Sequence, residues 1–272
     1  MRTLLLDADA LAYRASVVHQ REYQWDEDAP PSLVTDPEDA RQQVRDEIDR
    51  YMAELEADRF IICLSDDLRC FRKELVDQTY KANRKTVERP AMLYELKGWM
   101  RERFPSDLRP LLEADDVMGI LASEPTPGEE RIIVSEDKDM LTIPGFVYRR
   151  GKLRYVTQAN ADRWHLMQTL MGDKVDGYPG CPGVGEKTAA ERLDALLGVE
   201  SYEHEFTRGP RKGTTETRWR DVQMERPWDV VVSLFLKAGK TPRDALAQAR
   251  LARILRFGEW NGRPHLWTPP AS

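Results

Sequence analysis

Short apolar runs alternate with amphipathic stretches through the first 157 residues. RTLLLD (2–7), RFIICLS (59–65) and RIIVS (131–135) are continuous apolar runs that end in polar residues, the pattern of strands buried on both faces of a parallel sheet. Between them, DPEDARQQVRDEIDRYMAELEA (36–57) has an Asp in the cap position, a Pro at the first helical position and helical spacing of its apolar residues, which predicts a helix. Residues 90–104 read the same way. Strands alternating with helices predict an α/β fold, a mostly parallel central sheet with helices on both faces. Beyond residue 157 the strand signals stop. Residues 158–171, 186–198, 228–238 and 241–257 read as helices, 207–217 (TRGPRKGTTET) as a mobile basic loop and the tail HLWTPPAS as irregular. The expected division is therefore a core over 1–157 and a helical region over 158–272.

Composition narrows the class. Of the 272 residues, 41% are hydrophobic, enough for one large domain or a domain with an appendage. No stretch approaches the roughly 18 apolar residues of a membrane span. The opening MRTLLLDADALAY carries two aspartates and no small-residue cleavage site follows it, so it reads as a buried strand and not a signal peptide. Cys63, Cys70 and Cys181 form no CxxC pair. A disulfide scaffold or thiolate zinc site is not expected, and a reducing cytosol fits.

Net charge conceals the distribution. The formal charge is −6, which taken alone disfavours an anionic partner. Yet residues 69–103 hold ten Lys or Arg against five acids, and 208–220 hold five against one. Charge runs are usually solvated helix faces, but such patches also suit a phosphate backbone. The acids gather elsewhere. Asp7 follows the first predicted strand, Asp66 the second, Asp137 and Asp139 the third. In an open parallel sheet, ligands bind beyond the carboxyl ends of the strands. Glu113, Asp115 and Asp116 stand in EADD at a predicted helix start, and Asp173 and Asp176 in GDKVDG. Removing these nine acids would change the formal charge to +3.

Each acid alone could be a helix cap. Acids at three strand ends plus two further stretches point instead to a shared job. Crowded carboxylates need cations, and oxygen-only ligands select Mg²⁺ or Mn²⁺ over zinc. Two such ions suit in-line attack on a phosphodiester. The four histidines are isolated, and no GxSxG or GxxxxGK[ST] motif occurs. A phosphatase of the haloacid-dehalogenase type would use the Asp-x-Asp of LLLDADALAY, but Leu11 stands where that family has Thr or Val, and EADD and GDKVDG would have no role.

Lys81, Arg84 and Lys85 cluster in YKANRK, cations suited to a scissile phosphate. CPGVGEKTAAERL gives a Gly-x-Gly turn and a helix start. Gly183 and Gly185 would let a backbone approach a phosphate, the helix N-terminus offers N–H groups, and Lys187 and Thr188 add a cation and a hydroxyl. The turn's carbonyls could also hold a monovalent cation.

LLLDADALAYRA, CLSDDLRCFRKEL, YKANRK, EADDVMG, VSEDKDM and GDKVDGYPGCPGVGEKTA, in this order between residues 4 and 189, resemble the structure-specific 5′-nucleases of the flap endonuclease superfamily, most closely the 5′→3′ replication exonucleases of tailed phages. The resemblance implies a PIN/5′-nuclease-like sheet and a C-terminal helical region whose helix–hairpin–helix (about 170–198) grips DNA. It implies Mg²⁺-dependent hydrolysis at the 5′ ends, nicks or flaps of double-stranded DNA, with Mn²⁺ able to substitute, extending to RNA primers in RNA–DNA hybrid during phage or bacterial replication in the cytosol. Asp7, Asp66, Glu113 and Asp115 would hold one ion. Asp137, Asp139, Asp173 and Asp176 would surround the second, with Asp116 either an auxiliary ligand or a support behind the ligands. Lys81 and Arg84 would be catalytic, at the base of an arch over 84–110. Lys85, Gly183, Gly185, Lys187 and Thr188 would bind DNA, with K⁺ at the glycine turn. The family's Phe-Asp after the second strand is Ser65-Asp66-Asp67 here, which leaves Asp66 and Asp67 both open as the ligand. The short arch favours exonuclease action. A PIN-type ribonuclease is the rival enzyme, set apart by GVGEKTA, and a DNA-structure-binding protein without activity is the rival outside enzymology.

Overall fold

The computed structural model describes residues 1–24, 26, 32–86 and 88–270, apart from the side chains of Lys85 and Thr86. The chain forms two compact units, the first from residues 1–71, 84–161 and 254–265, the second from 72–83, 162–253 and 266–272.

In the first unit, β1 (Arg2–Asp7) leads into α1 (Ala8–Val18). A two-stranded hairpin, β2 (Gln20–Tyr23) and β3 (Ser32–Thr35), precedes α2 (Pro37–Glu54). Then follow β4 (Arg59–Leu64), α3 (Leu93–Arg103), β5 (Ser106–Leu108), α4 (Ala114–Ser123), β6 (Glu130–Val134), β7 (Gly145–Arg149) and β8 (Lys152–Val156). The sheet order is β5-β4-β1-β6-β7-β8. All neighbours are parallel except β7 and β8. The apolar runs explain the centre. Leu4, Leu6, Ile62, Leu64, Ile132 and Val134 bury one face of the sheet in a cluster with α1, α2 and α3. Leu5, Cys63 and Ile133 alternate to the other face, where α4 packs on β1, β4 and β6. Each such burial is worth about 1.5–3 kcal/mol.

The predicted arch over 84–110 is for much of its length part of this core. Leu96 and Met100 of α3 are fully buried, and β5 pairs with β4 at the sheet edge.

After β8 come α5 (Gln158–Met171), α6 (Glu186–Asp194), β9 (Leu197–Glu205), β10 (Thr215–Gln223), α7 (Pro227–Lys237) and α8 (Pro242–Ala252). Leu166, Leu170, Leu193, Val199, Val231 and Phe235 form the centre of the second unit's core. Two expectations need correction here. The helix predicted over 186–198 ends at Asp194, with Leu196 in the left-handed region at φ +48°. Residues 197–223 form an antiparallel ribbon in place of a mobile loop. Its outer half has no fully buried residue on either face, so it lacks the apolar alternation from which strands are read. Cross-strand polar pairs such as Thr217 with Glu203 hold it instead.

Candidate functional site

The parallel register of the first unit delivers acids to the carboxyl ends of its strands. Asp7 ends β1 opposite Cys63, while Leu6 stands opposite Val134 of β6. Asp7 also caps α1, its Oδ1 accepting the Ala10 N–H at 2.9 Å. Desolvation, then the charges of Asp9 and Asp137, push its pKa up to about 6, against the Ala10 bond and Arg14. The Cys63 thiol is likewise pushed well up, first by burial and then by Asp107, Asp7 and Asp115. Asp7, Asp9, Asp115 and Asp137 therefore act electrostatically on one small region.

The other predicted acids have visible structural work. Asp66 Oδ1 accepts the N–H groups of Leu68 (3.0 Å) and Arg69 (3.2 Å), and Oδ2 that of Leu111 (2.9 Å). Desolvation opposes its ionisation, but these bonds with the Arg69 charge outweigh it and hold the carboxyl below its ordinary range. Glu113 is the N-cap of α4 in a reciprocal box with Asp116. Asp116 itself is fully buried. Its Oδ2 accepts the Glu113 N–H at 3.2 Å and its Oδ1 the Leu255 N–H at 3.1 Å. Asp116 therefore fixes the start of α4, the segment that carries Glu113 and Asp115. Asp137 caps the short helix Lys138–Thr142, accepting the Asp139 N–H at 2.8 Å. Asp115 and Asp139 are half-buried.

Lys97, one of the ten basic residues of 69–103, is not part of a solvated face. Its side chain is 7% exposed, and Nζ lies 2.8 Å from Asp9 Oδ1 and 2.6 Å from Asp67 Oδ1. Asp67 is thus committed to Lys97. This triad had no sequence signal, since Lys97 looks like any helix-surface lysine. Among the described residues, no three His, Cys, Asp or Glu side chains form a group able to hold a metal ion. The strand-end acids share a field without forming a closed cage.

In the second unit, GDKVDG folds into a tight turn. Asp173 bridges Tyr178, and its Oδ1 accepts the N–H groups of Val175 (2.7 Å) and Asp176 (3.3 Å). Gly172 and Gly180, at φ +69° and +68°, let two backbone segments touch. A Cβ on Gly180 would stand 2.3 Å from the Gly172 nitrogen, so no other residue fits there. Residues 80–83 dock on this turn. The Tyr80 hydroxyl donates to Asp176 Oδ2 at 3.0 Å, Lys81 Nζ approaches the same oxygen at 3.6 Å, and Asn83 donates to the carbonyls of Lys174 and Val175. The sequence pointed to Lys81 and gave no sign of the bonds made by Tyr80 and Asn83. Their proximity to Asp176 spans more than ninety residues of chain.

The glycine turn is exposed. Gly183 has φ +78°, Gly185 caps α6, and an added Cβ at either would meet nothing within 4 Å. Lys187 is 89% exposed and loosely paired with Glu191 at 3.9 Å. Thr188 and Arg84 are exposed. The Lys85 side chain lies outside the described residues.

Residues 2–160 match the family of 5′-3′ exonucleases, N-terminal resolvase-like domain. The chain is 37% identical to an exodeoxyribonuclease of Enterobacteria phage T3, over 98% of this chain and 92% of the relative. It is 36% identical to an exonuclease of Escherichia phage T7, over 98% and 93%. The structure is similar to a phage T5 5′-exonuclease solved with zinc ions bound, with a TM-score of 0.51 and 16% identity, covering 72% of this chain and 76% of that one. With the strand-end acids placed as described, the chain belongs to the 5′-3′ exonuclease family.

Proposed function

We propose that the protein is a Mg²⁺-dependent 5′→3′ exonuclease and flap endonuclease that hydrolyses phosphodiester bonds at the 5′ ends, nicks or flaps of duplex DNA. The observation that carries this reading is Asp7. A strand-end carboxylate raised to about 6 by desolvation and by Asp9 and Asp137 is one whose ionised form needs a cation. The donors are all oxygens, and Mg²⁺ keeps several waters while taking one or two carboxylates, so acids spread along a sheet edge fit it without a closed cage. Asp7, Glu113, Asp115, Asp137 and Asp139 are the ligands we propose in the first unit, with Asp66 offering its remaining lone pairs. Asp173 and Asp176 are those of the second. Divalent ions bound by these groups supply Lewis-acid activation of water and of the leaving oxygen.

The chain's own cations complete the chemistry. Lys81, held by Asp176, and Arg84 neutralise the scissile phosphate. The N–H groups at the start of α6, with Lys187, Thr188 and Lys85, hold the duplex backbone, and the Gly183–Gly185 turn takes K⁺. The same chemistry acts on RNA primers in RNA–DNA hybrid at replication.

Asp7→Asn and Asp173→Asn, each assayed on a 5′-flapped duplex with Mg²⁺, should cut at least about 10²-fold more slowly while binding the duplex as the wild type does. Undiminished cleavage by either variant would remove that residue from the ligand set.

A further inference from the structure

We propose that the β9–β10 ribbon is a second DNA-backbone contact, an arm that grips duplex phosphates independently of the glycine turn. Its two faces differ in chemistry. Glu200, Tyr202 and His204 pair across with Arg220, Arg218 and Glu216, and Phe206 continues that face. Here arginines lie over aromatic rings. Arg211 stands 3.9 Å and Arg218 5.3 Å from the Phe206 ring centre, and Arg220 5.6 Å from that of Tyr202. Each of these arginines also pairs with a carboxylate, Arg220 with Glu200 and both Arg211 and Arg218 with Glu216, in solvent-accessible ion pairs that exchange for a phosphate at little cost. The opposite face, through 201–205 and 215–219, carries Glu203 and Glu205 and no Lys or Arg.

The tip adds cations on an ordered frame. Phe206 and Gly213 close it with backbone bonds of 3.0 and 2.8 Å, and Lys212 and Thr214 donate within the turn. Arg208 and Lys212 are exposed there with no acid in 206–213. The ion pair of Arg211 with Glu216, at 3.2 Å, is between groups 65% and 44% exposed, so it yields readily to a phosphate. A two-stranded ribbon also has the dimensions of the DNA major groove. The tip cations Arg208, Arg211 and Lys212, with no acid in 206–213, favour a polyanion there, while the opposite face with Glu203 and Glu205 does not.

This inference rests on the DNA-directed reading above, and its test separates the two. Binding of a labelled blunt duplex would be measured by anisotropy without Mg²⁺, across salt concentrations. The proteins are the wild type, Arg208→Ala with Lys212→Ala, Arg211→Ala with Arg218→Ala, and Thr215→Glu with Thr217→Glu on the opposite face, each checked for folding by circular dichroism. Both arginine-containing pairs should weaken binding about tenfold and make the log–log salt slope shallower by about 2, with cleavage at saturating DNA unchanged. The opposite-face pair should lose much less. Wild-type affinity and slope in the first two variants, or equal loss in the third, would overturn the ribbon. A wild-type protein that binds no duplex would overturn the nuclease reading and the ribbon with it.

Discussion

Lys81 is tied to Asp176 twice, its backbone N–H donating to the Asp176 carbonyl at 2.9 Å and its Nζ lying 3.6 Å from the carboxylate. The backbone bond sets Lys81 in the left-handed region at φ +54°, where a side chain costs about 1 kcal/mol. A strained residue at a candidate site is a reason to look for function. Lys81→Gly relieves the backbone and removes the ammonium. It should leave thermal stability within about 1 kcal/mol of wild type and slow cleavage by about 10²–10³. A melting curve and a single-turnover assay read the two effects separately.

Lys97→Met leaves Asp9 and Asp67 facing one another. Both acids are about one-third exposed, so water screens part of the loss, and the expected cost is about 2 kcal/mol. Denaturant unfolding measures it. A cost near zero would mean that the triad is ornamental.

The raised Asp7 pKa fixes the sign of a pH effect. The folded value of about 6 lies above the unfolded 3.8, so in metal-free protein the fold favours the protonated form. Stability from this group is full below pH 4 and is lost as pH rises through 6. Asp7→Asn should therefore stabilise metal-free protein at pH 7, by about 1–3 kcal/mol, and do nothing at pH 4. Divalent ions should bind better as pH rises through the same window, read by calorimetry.

The two turns differ in what they tolerate. Gly180→Ala drives a Cβ into the Gly172 backbone and should destabilise by more than about 2 kcal/mol. Gly183→Ala meets open space and costs about 1 kcal/mol. Thermal denaturation of the two variants checks the order.

How much was legible depended on which physical force set each feature. The placing of Asp7, Asp66 and Asp137 at one sheet edge was legible because buried strands announce themselves as apolar runs, and these residues follow them. α5 was read to its ends because its start and stop are local. The β9–β10 ribbon was not, because cross-strand pairs such as Arg220 with Glu200 leave no apolar period. The bonds of Asp116 to Glu113 and Leu255 were not legible, because a buried cap and an ion ligand have the same sequence. Lys97 was hidden for the same reason, since its partners lie 88 and 30 positions away in sequence.

The most direct measurement uses wild-type protein and two internally labelled duplexes, one nicked and one with a 5′ flap, in Mg²⁺ or in EDTA. Mg²⁺-dependent mononucleotides or short oligonucleotides from the nick, and a flap-length product from the flap, are expected, with both abolished by EDTA. Cleavage that persists in EDTA, or no cleavage of either duplex with Mg²⁺ or Mn²⁺, would contradict a metal-dependent 5′-nuclease and return Asp7 and its neighbours to helix caps.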